Sequence, residues 1–277
     1  MPQRRSIMFA LIAALCVAAA PMTAPMATTA PASIQPAFLE ESAIDLRSLL
    51  GDPPARDSAV QQVELARILE LQAARTPAEE KRCQDEVAVT VFGFTGQMGP
   101  WFTEKNLPVT AHVMDDAYVE CKVFSKAGKA IWNRPRPPYD DPRIHPCVTL
   151  DTDGSYPSGH GTRAMVWAHL LIAIFPEKTE AILARANQIG DDRVIAGVHF
   201  PSDVAAGKIL GTQIAKLLLA NDKFKSEFAA AKAECQAAAG SASVPDFPGN
   251  RLFLLPMYSG GGQRWGFFTS SFGTLRP

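Results

Sequence analysis

Between Gly159 and Phe175 the sequence reads GHGTRAMVWAHLLIAIF and is closed by Pro176. Wound as a helix, this segment is apolar around nearly its whole circumference, so it has to be covered on every side by other elements. It falls short of the roughly 18 apolar residues that a bilayer span takes, and it carries Arg163 and His169. The spacing therefore predicts the buried central helix of a bundle. The segments that would cover it are legible too. Residues 57–76 place Val60, Val63, Leu65, Ile68, Leu69 and Leu71 at helical spacing ahead of Pro77. Residues 107–124, 177–195, 202–220 and 222–239 read as further helices, and strand signals are almost absent. The expected fold is all-α, a single helical bundle domain over 57–240, with no internal repeat.

The flanks read differently. Arg4 and Arg5 precede an apolar run from Ile7 to Ala20, and Ala30-Pro31-Ala32 offers small residues for cleavage. This is the layout of a signal peptide over 1–32, which implies a periplasmic or secreted protein with no membrane span after processing. Residues 33–56, with Pro36, Pro53 and Pro54, read as a flexible lead-in, and 241–277 as an irregular tail rich in Gly, Pro and aromatics. A formal net charge of −1 over 277 residues gives no reason to expect a nucleic acid partner. Removing Cys16 with the signal leaves Cys83, Cys121, Cys147 and Cys235. In an oxidising compartment that even count suggests two disulfides, for which Cys121–Cys147 and Cys83–Cys235 is the connectivity expected among three.

Three short stretches carry chemistry. KAIWNRPRP holds Lys129 and Arg136, GSYPSGHGT holds Ser158, Gly159 and His160 at the start of the apolar helix, and GDDRVIAGVHFPSD holds Arg193, His199 and Asp203. A helix N-terminus presents unpaired N–H groups and partial positive charge, which suits a phosphate. Lys129, Arg136 and Arg193 add cations, and the arginines can grip two oxygens at once. Pro201 suits the first turn of the 202–220 helix, which puts Asp203 within one turn of His199. The carboxylate can then hold one imidazole nitrogen and leave the other free to attack. His160 lies beside the phosphate cradle, where it could protonate a leaving oxygen.

The order Lys129-x6-Arg136-Pro137, Pro157-Ser158-Gly159-His160 and Arg193-x5-His199-x3-Asp203 resembles the signature of the type 2 phosphatidic acid phosphatase superfamily. The surrounding residues are most similar to the soluble class A bacterial acid phosphatases. The resemblance implies hydrolysis of soluble phosphomonoesters through a phosphohistidine on His199, with Asp203 orienting it and His160 as acid. Lys129, Arg136, Ser158, Gly159 and Arg193 would bind the phosphate, and inorganic phosphate or vanadate would inhibit. One position departs from the pattern, because the serine expected before the arginine is Asp192. An ionised carboxylate only accepts hydrogen bonds. Asp192 should therefore repel a phosphate, turn aside to a cation such as Arg193 or Lys129, or point to solvent.

His112, His145 and His169 read as structural, and Asp115 and Asp116 as acids on a helix surface. Three permanent cations around the cavity would repel a divalent ion, so no metal and no cofactor are expected. Two rival readings stay open at this level. They are a vanadate-dependent haloperoxidase-like enzyme and a non-catalytic periplasmic oxyanion-binding module. The physiological ester, homo-oligomerisation and transfer of phosphate to alcohols are left open as well.

Overall fold

The computed structural model describes residues 35–242, and these contain α-helices and short 3-10 turns without strands. The helices are α1 (Leu46–Leu50), α2 (Ala59–Ala74), α3 (Pro77–Asp85), α4 (Thr95–Met98) and α5 (Pro108–Trp132). They continue with α6 (Pro137–Asp140), α7 (Gly159–Ile174), α8 (Thr179–Ile195), α9 (Pro201–Ala220) and α10 (Asp222–Ala242). The fold is all-α, as the periodicity predicts. No helix among the described residues is long and apolar enough to cross a membrane. The expected signal peptide and nearly all of the C-terminal tail lie outside the described residues.

Local chemistry sets the helix ends. Ser58 caps α2 by accepting from Gln61 N, and Thr76 and Glu79 form a reciprocal capping box on α3 with Pro77 at its first position. Helix α5 starts at Pro108 and ends where Asn133 takes a left-handed conformation, φ 41°. It runs to Trp132, eight residues past the 107–124 expected from periodicity, and so carries Lys129 on its last turn.

Helix α7 is the centre of the bundle, packed against α9, α8, α5 and α10. Ala164, Val166, Trp167, Ala168, Leu170 and Leu171 are all buried along it, whichever way they face. The α7–α9 crossing is especially close. A methyl built on Gly207 would stand 2.5 Å from Ser158 O, and one on Gly211 would stand 2.2 Å from Thr162 O. Backbone meets backbone here, which glycine alone permits.

Within the stretch expected to be a flexible lead-in, residues 37–50 are packed instead. Leu39, Ile44 and Leu46 are buried, and Ala37 N and Phe38 N both donate to Glu120 Oε1, at 2.7 and 2.8 Å. Phe38 meets Phe224 edge to face. Apolar side chains spaced without regular period were enough to hold a segment that has little helix of its own. Neither expected disulfide forms, since Cys83, Cys121, Cys147 and Cys235 are all free thiols. The expected partners belong to different parts of the interior. Cys121 and Cys235 lie in the main core, whereas Cys83 and Cys147 share a small cluster with Ala196 and Val198.

Candidate active site

The three sequence stretches meet at the ends of five elements. Lys129 stands on the last turn of α5, Arg136 directly before α6, and Ser158, Gly159 and His160 open α7. Arg193 is on the last turn of α8, and His199 and Asp203 flank the start of α9. Contacts across these segments tie them together. Ser158 N donates to Asp203 O at 2.9 Å, and Arg136 Nη1 approaches His199 Nε2 at 3.2 Å.

The partners of His199 decide its tautomer. A guanidinium can only donate, so the Nε2 that faces Arg136 must carry a lone pair. The proton is then on Nδ1, which lies 3.2 Å from Ser155 Oγ and 3.4 Å from Asp203 Oδ2. Asp203 is held from three further sides, by Ser155 Oγ, by Phe200 N at 2.8 Å and by Arg134 Nη1 at 2.7 Å. Burial alone would raise the Asp203 carboxyl, but His199, Arg134 and Ser155 outweigh it and hold it below the usual range. Burial lowers the His199 imidazole to about 4, against the pull of Asp203 and with help from the charges of Arg136 and Lys129. A neutral imidazole with an available Nε2 lone pair is the nucleophilic form.

His160 is arranged the other way round. Its Nε2 is 3.2 Å from Glu86 O, which only accepts, so Nε2 carries the proton and Nδ1 is free. Burial, then the charges of Arg163, Arg193 and His199, push its pKa well below the ordinary value. Incoming negative charge would reverse the electrostatic part of that shift.

The cation set is only partly satisfied by the protein. Arg193 is buried, donates weakly from Nη1 to Cys83 O at 3.4 Å, and keeps Nε without a partner. Ser158 Oγ accepts from Gly161 N and its own N–H is taken by Asp203 O. Of the backbone expected to cradle an anion, the N–H groups of Gly159 and His160 are the ones left without helical partners. A methyl on Gly159 would meet nothing nearer than 3.9 Å, so there is room above that backbone. Lys129 and Arg136 both contact Asp153.

Comparisons with known proteins place the chain in a family. The PAP2 superfamily pattern matches residues 117–226. A non-specific acid phosphatase of Providencia stuartii is 30% identical over 213 residues, covering 71% of this chain and 84% of that one. The chain belongs to the non-specific acid phosphatases of the PAP2 superfamily. A second such phosphatase, from Salmonella typhi, is 26% identical over 192 residues, 66% of this chain and 77% of its own. An acid phosphatase of Zymomonas mobilis is 36% identical over 121 residues, 42% of this chain and 45% of its own.

In this phosphatase Asp192 takes the second of the courses expected of it and turns aside to a cation, though to neither of the two named. It is buried and accepts a forked pair of bonds from Arg82, from Nε and Nη2, each at 2.7 Å. Its partner is neither Arg193 nor Lys129, and it does not reach solvent. Arg82 comes from α3, a helix that the periodic pattern did not announce, so nothing near Asp192 in sequence could have named it. Sequence reasoning also missed Ser155 and Arg134, although both lie inside the stretches singled out. His145 is an exposed loop residue, His112 is exposed and pairs with Asp116, and His169 reaches Thr212 Oγ1 at 3.2 Å. None of the three joins the site.

Proposed function

We propose that this phosphatase hydrolyses soluble phosphomonoesters through a phosphohistidine on His199, without a metal ion. The observation that carries the reading is the fixed tautomer of His199. Asp203 and Ser155 face Nδ1, while Nε2 keeps its lone pair beside Arg136. In the first step Nε2 attacks phosphorus and the bond to the ester oxygen breaks, while His160 gives a proton from Nδ1 to the departing alcohol. His160 is neutral in the free site and gains that proton as substrate brings negative charge. Water then attacks the phosphohistidine, passes its proton to His160, and releases phosphate.

Throughout, Lys129, Arg136, Arg193, the Ser158 hydroxyl and the N–H groups at Gly159 and His160 would hold the three equatorial oxygens. The spread charge of the transferring group needs such fixed positive partners more than covalent help. Inorganic phosphate and vanadate would then inhibit by occupying the same place. Export to the periplasm or medium is part of this reading and rests on the N-terminal sequence pattern alone.

Rapid quenching of the enzyme with labelled p-nitrophenyl phosphate tests the intermediate. An acid-labile, base-stable label on His199 is expected, with activity unchanged by EDTA. Activity lost to EDTA and restored by zinc or magnesium would contradict the metal-free scheme. Halide oxidation with added vanadate and peroxide, without phosphatase turnover, would favour the haloperoxidase-like alternative.

A further inference from the structure

Lys129 and Arg136 already hold a carboxylate. Lys129 Nζ donates to Asp153 Oδ2 at 2.8 Å, and Arg136 Nη2 donates to Asp153 Oδ1 at 2.7 Å. Asp151 Oδ2 adds a contact to Arg136 Nη2 at 3.2 Å. The two oxygens of Asp153 thus bridge the same two cations that a phosphate would bridge. Its backbone is pinned on the C-terminal side, since Arg136 Nε donates to Asp153 O at 3.2 Å and Ser155 N donates to Arg134 O at 2.8 Å. The side chain is 46% exposed, so it can turn but cannot leave the edge of the site.

A ligand that enters must therefore meet this carboxylate. A doubly charged phosphate monoester has only acceptors on its free oxygens, and it meets Asp153 with like charge and no proton to share. A singly charged monoester keeps one P–OH, which can donate to the carboxylate. We propose that Asp153 is a specificity-determining residue that makes the site prefer the singly charged form of a phosphate monoester to the doubly charged form. This rests on the reading of the pocket as a phosphate site.

The other charged and titratable groups do not blur this choice. Asp151, Lys129 and Arg136 flank Asp153, His160, Arg193 and His199 line the rest of the pocket, and Asp203 with Arg134 lies behind His199. Lys129 and Arg136 outweigh burial and keep the Asp153 carboxyl below its usual range. The two histidines are shifted well below their ordinary value in the free site. In the free site neither histidine then changes charge between about pH 5 and pH 8. The proton that His160 takes up beside a bound anion is common to every anion, so a difference between ligands reports the ligand's own last proton, whose loss at rising pH should weaken binding.

The test uses calorimetric titration of the whole protein with methylphosphonate and with sulfate at pH 5 and pH 8. Methylphosphonate has no ester bond to hydrolyse and, unlike inorganic phosphate, keeps no P–OH in its doubly charged form. It is singly charged at pH 5 and mainly doubly charged at pH 8, whereas sulfate is tetrahedral and doubly charged at both values. The wild type should bind methylphosphonate at pH 5 about tenfold or more tightly than sulfate. Asp153→Asn should bind sulfate at both pH values, and methylphosphonate at pH 8, roughly five- to thirtyfold more tightly than the wild type. Methylphosphonate at pH 5 should change by less than about threefold on the same scale. Equal gains for every ligand, or a wild type that takes sulfate as readily as methylphosphonate at pH 5, would overturn the proposal alone. Failure of both proteins to bind methylphosphonate at either pH would overturn the phosphate-site reading beneath it. The wild-type ratio needs no variant, so a poorly folded Asp153→Asn protein does not remove the test.

Discussion

Arg134 and Arg136 are two residues apart on the segment after α5, and they meet opposite surroundings. Arg134 is buried with its acids. It donates to Asp203 at 2.7 Å, to Glu64 at 3.0 Å and to Ser202, and its guanidinium lies over the Phe200 ring. Arg136 is equally buried, but its carboxylate partners, Asp151 and Asp153, are 64% and 46% exposed. The first set is closed, because no solvent or ligand can replace a partner. The second is open on one side, so an incoming anion can compete for it. The difference shows that an arginine's part in a site depends on whether its counter-charge can be exchanged, more than on its own burial. Arg134 braces the carboxylate behind His199, while in the proposed reaction Arg136 would meet the ligand.

The largest expected effect is at the point where the two sets meet. His199→Ala should lower turnover of p-nitrophenyl phosphate by about a thousandfold or more. A variant that still accumulated labelled phosphate would break the link between the two arginine sets. Next comes the closed set. Arg134→Ala leaves Asp203 and Glu64 buried and unpaired, and should destabilise the protein by about 3–5 kcal/mol in urea unfolding. A loss under about 1 kcal/mol, the range of exposed pairs, would show the set to be as open as its neighbour. Arg136→Lys should keep the fold yet raise KM about tenfold, because an ammonium cannot make the forked grip.

The pH dependence sharpens the comparison further. His199 is lowered to about 4, so it is neutral and able to attack above that value, and the acid limb of kcat/KM should fall tenfold per unit below about pH 4. An acid limb centred near the ordinary histidine value would mean that the pocket does not desolvate His199 as the geometry implies. The smallest effect is expected at Asp192. Asp192→Ser should leave phosphate affinity within about twofold and cost about 1 kcal/mol through the lost Arg82 pair, whose arginine is partly solvated. A clear rise in phosphate affinity would return Asp192 to the ligand.

The long helices were readable because each buries one face or, for α7, every face, and that need is written in the period of the sequence. Segments 36–50 and 86–106 were not readable, since their short turns owe their shape to what they pack on, and α3 has no apolar period, only the cap signals of Thr76, Pro77 and Glu79. In the site, the eight singled-out residues lie at element ends that the fold draws together. The members of the ion-pair sets were hidden for a different reason. Ser155 and Asp153 are ordinary loop residues until Asp203 and Arg136 arrive from elsewhere, and Asp192 is a mystery until α3 supplies Arg82. The cysteines failed on the same ground, because counting them says nothing about which lie in the same part of the core.

The glycines at the α7–α9 crossing give the enzyme a ruler made of main chain. Ser158, Gly159 and His160 open one helix, His199 stands just before the other and Asp203 on its first turn, and the two helices touch at Gly207 and Gly211. The span across which the proposed reaction would pass a phosphoryl group is therefore insulated from how well the rest of the interior is filled. Loosening the core elsewhere should soften the protein before it detunes the reaction distance, whereas a single methyl at the crossing acts as a shim that parts the two halves of the chemistry.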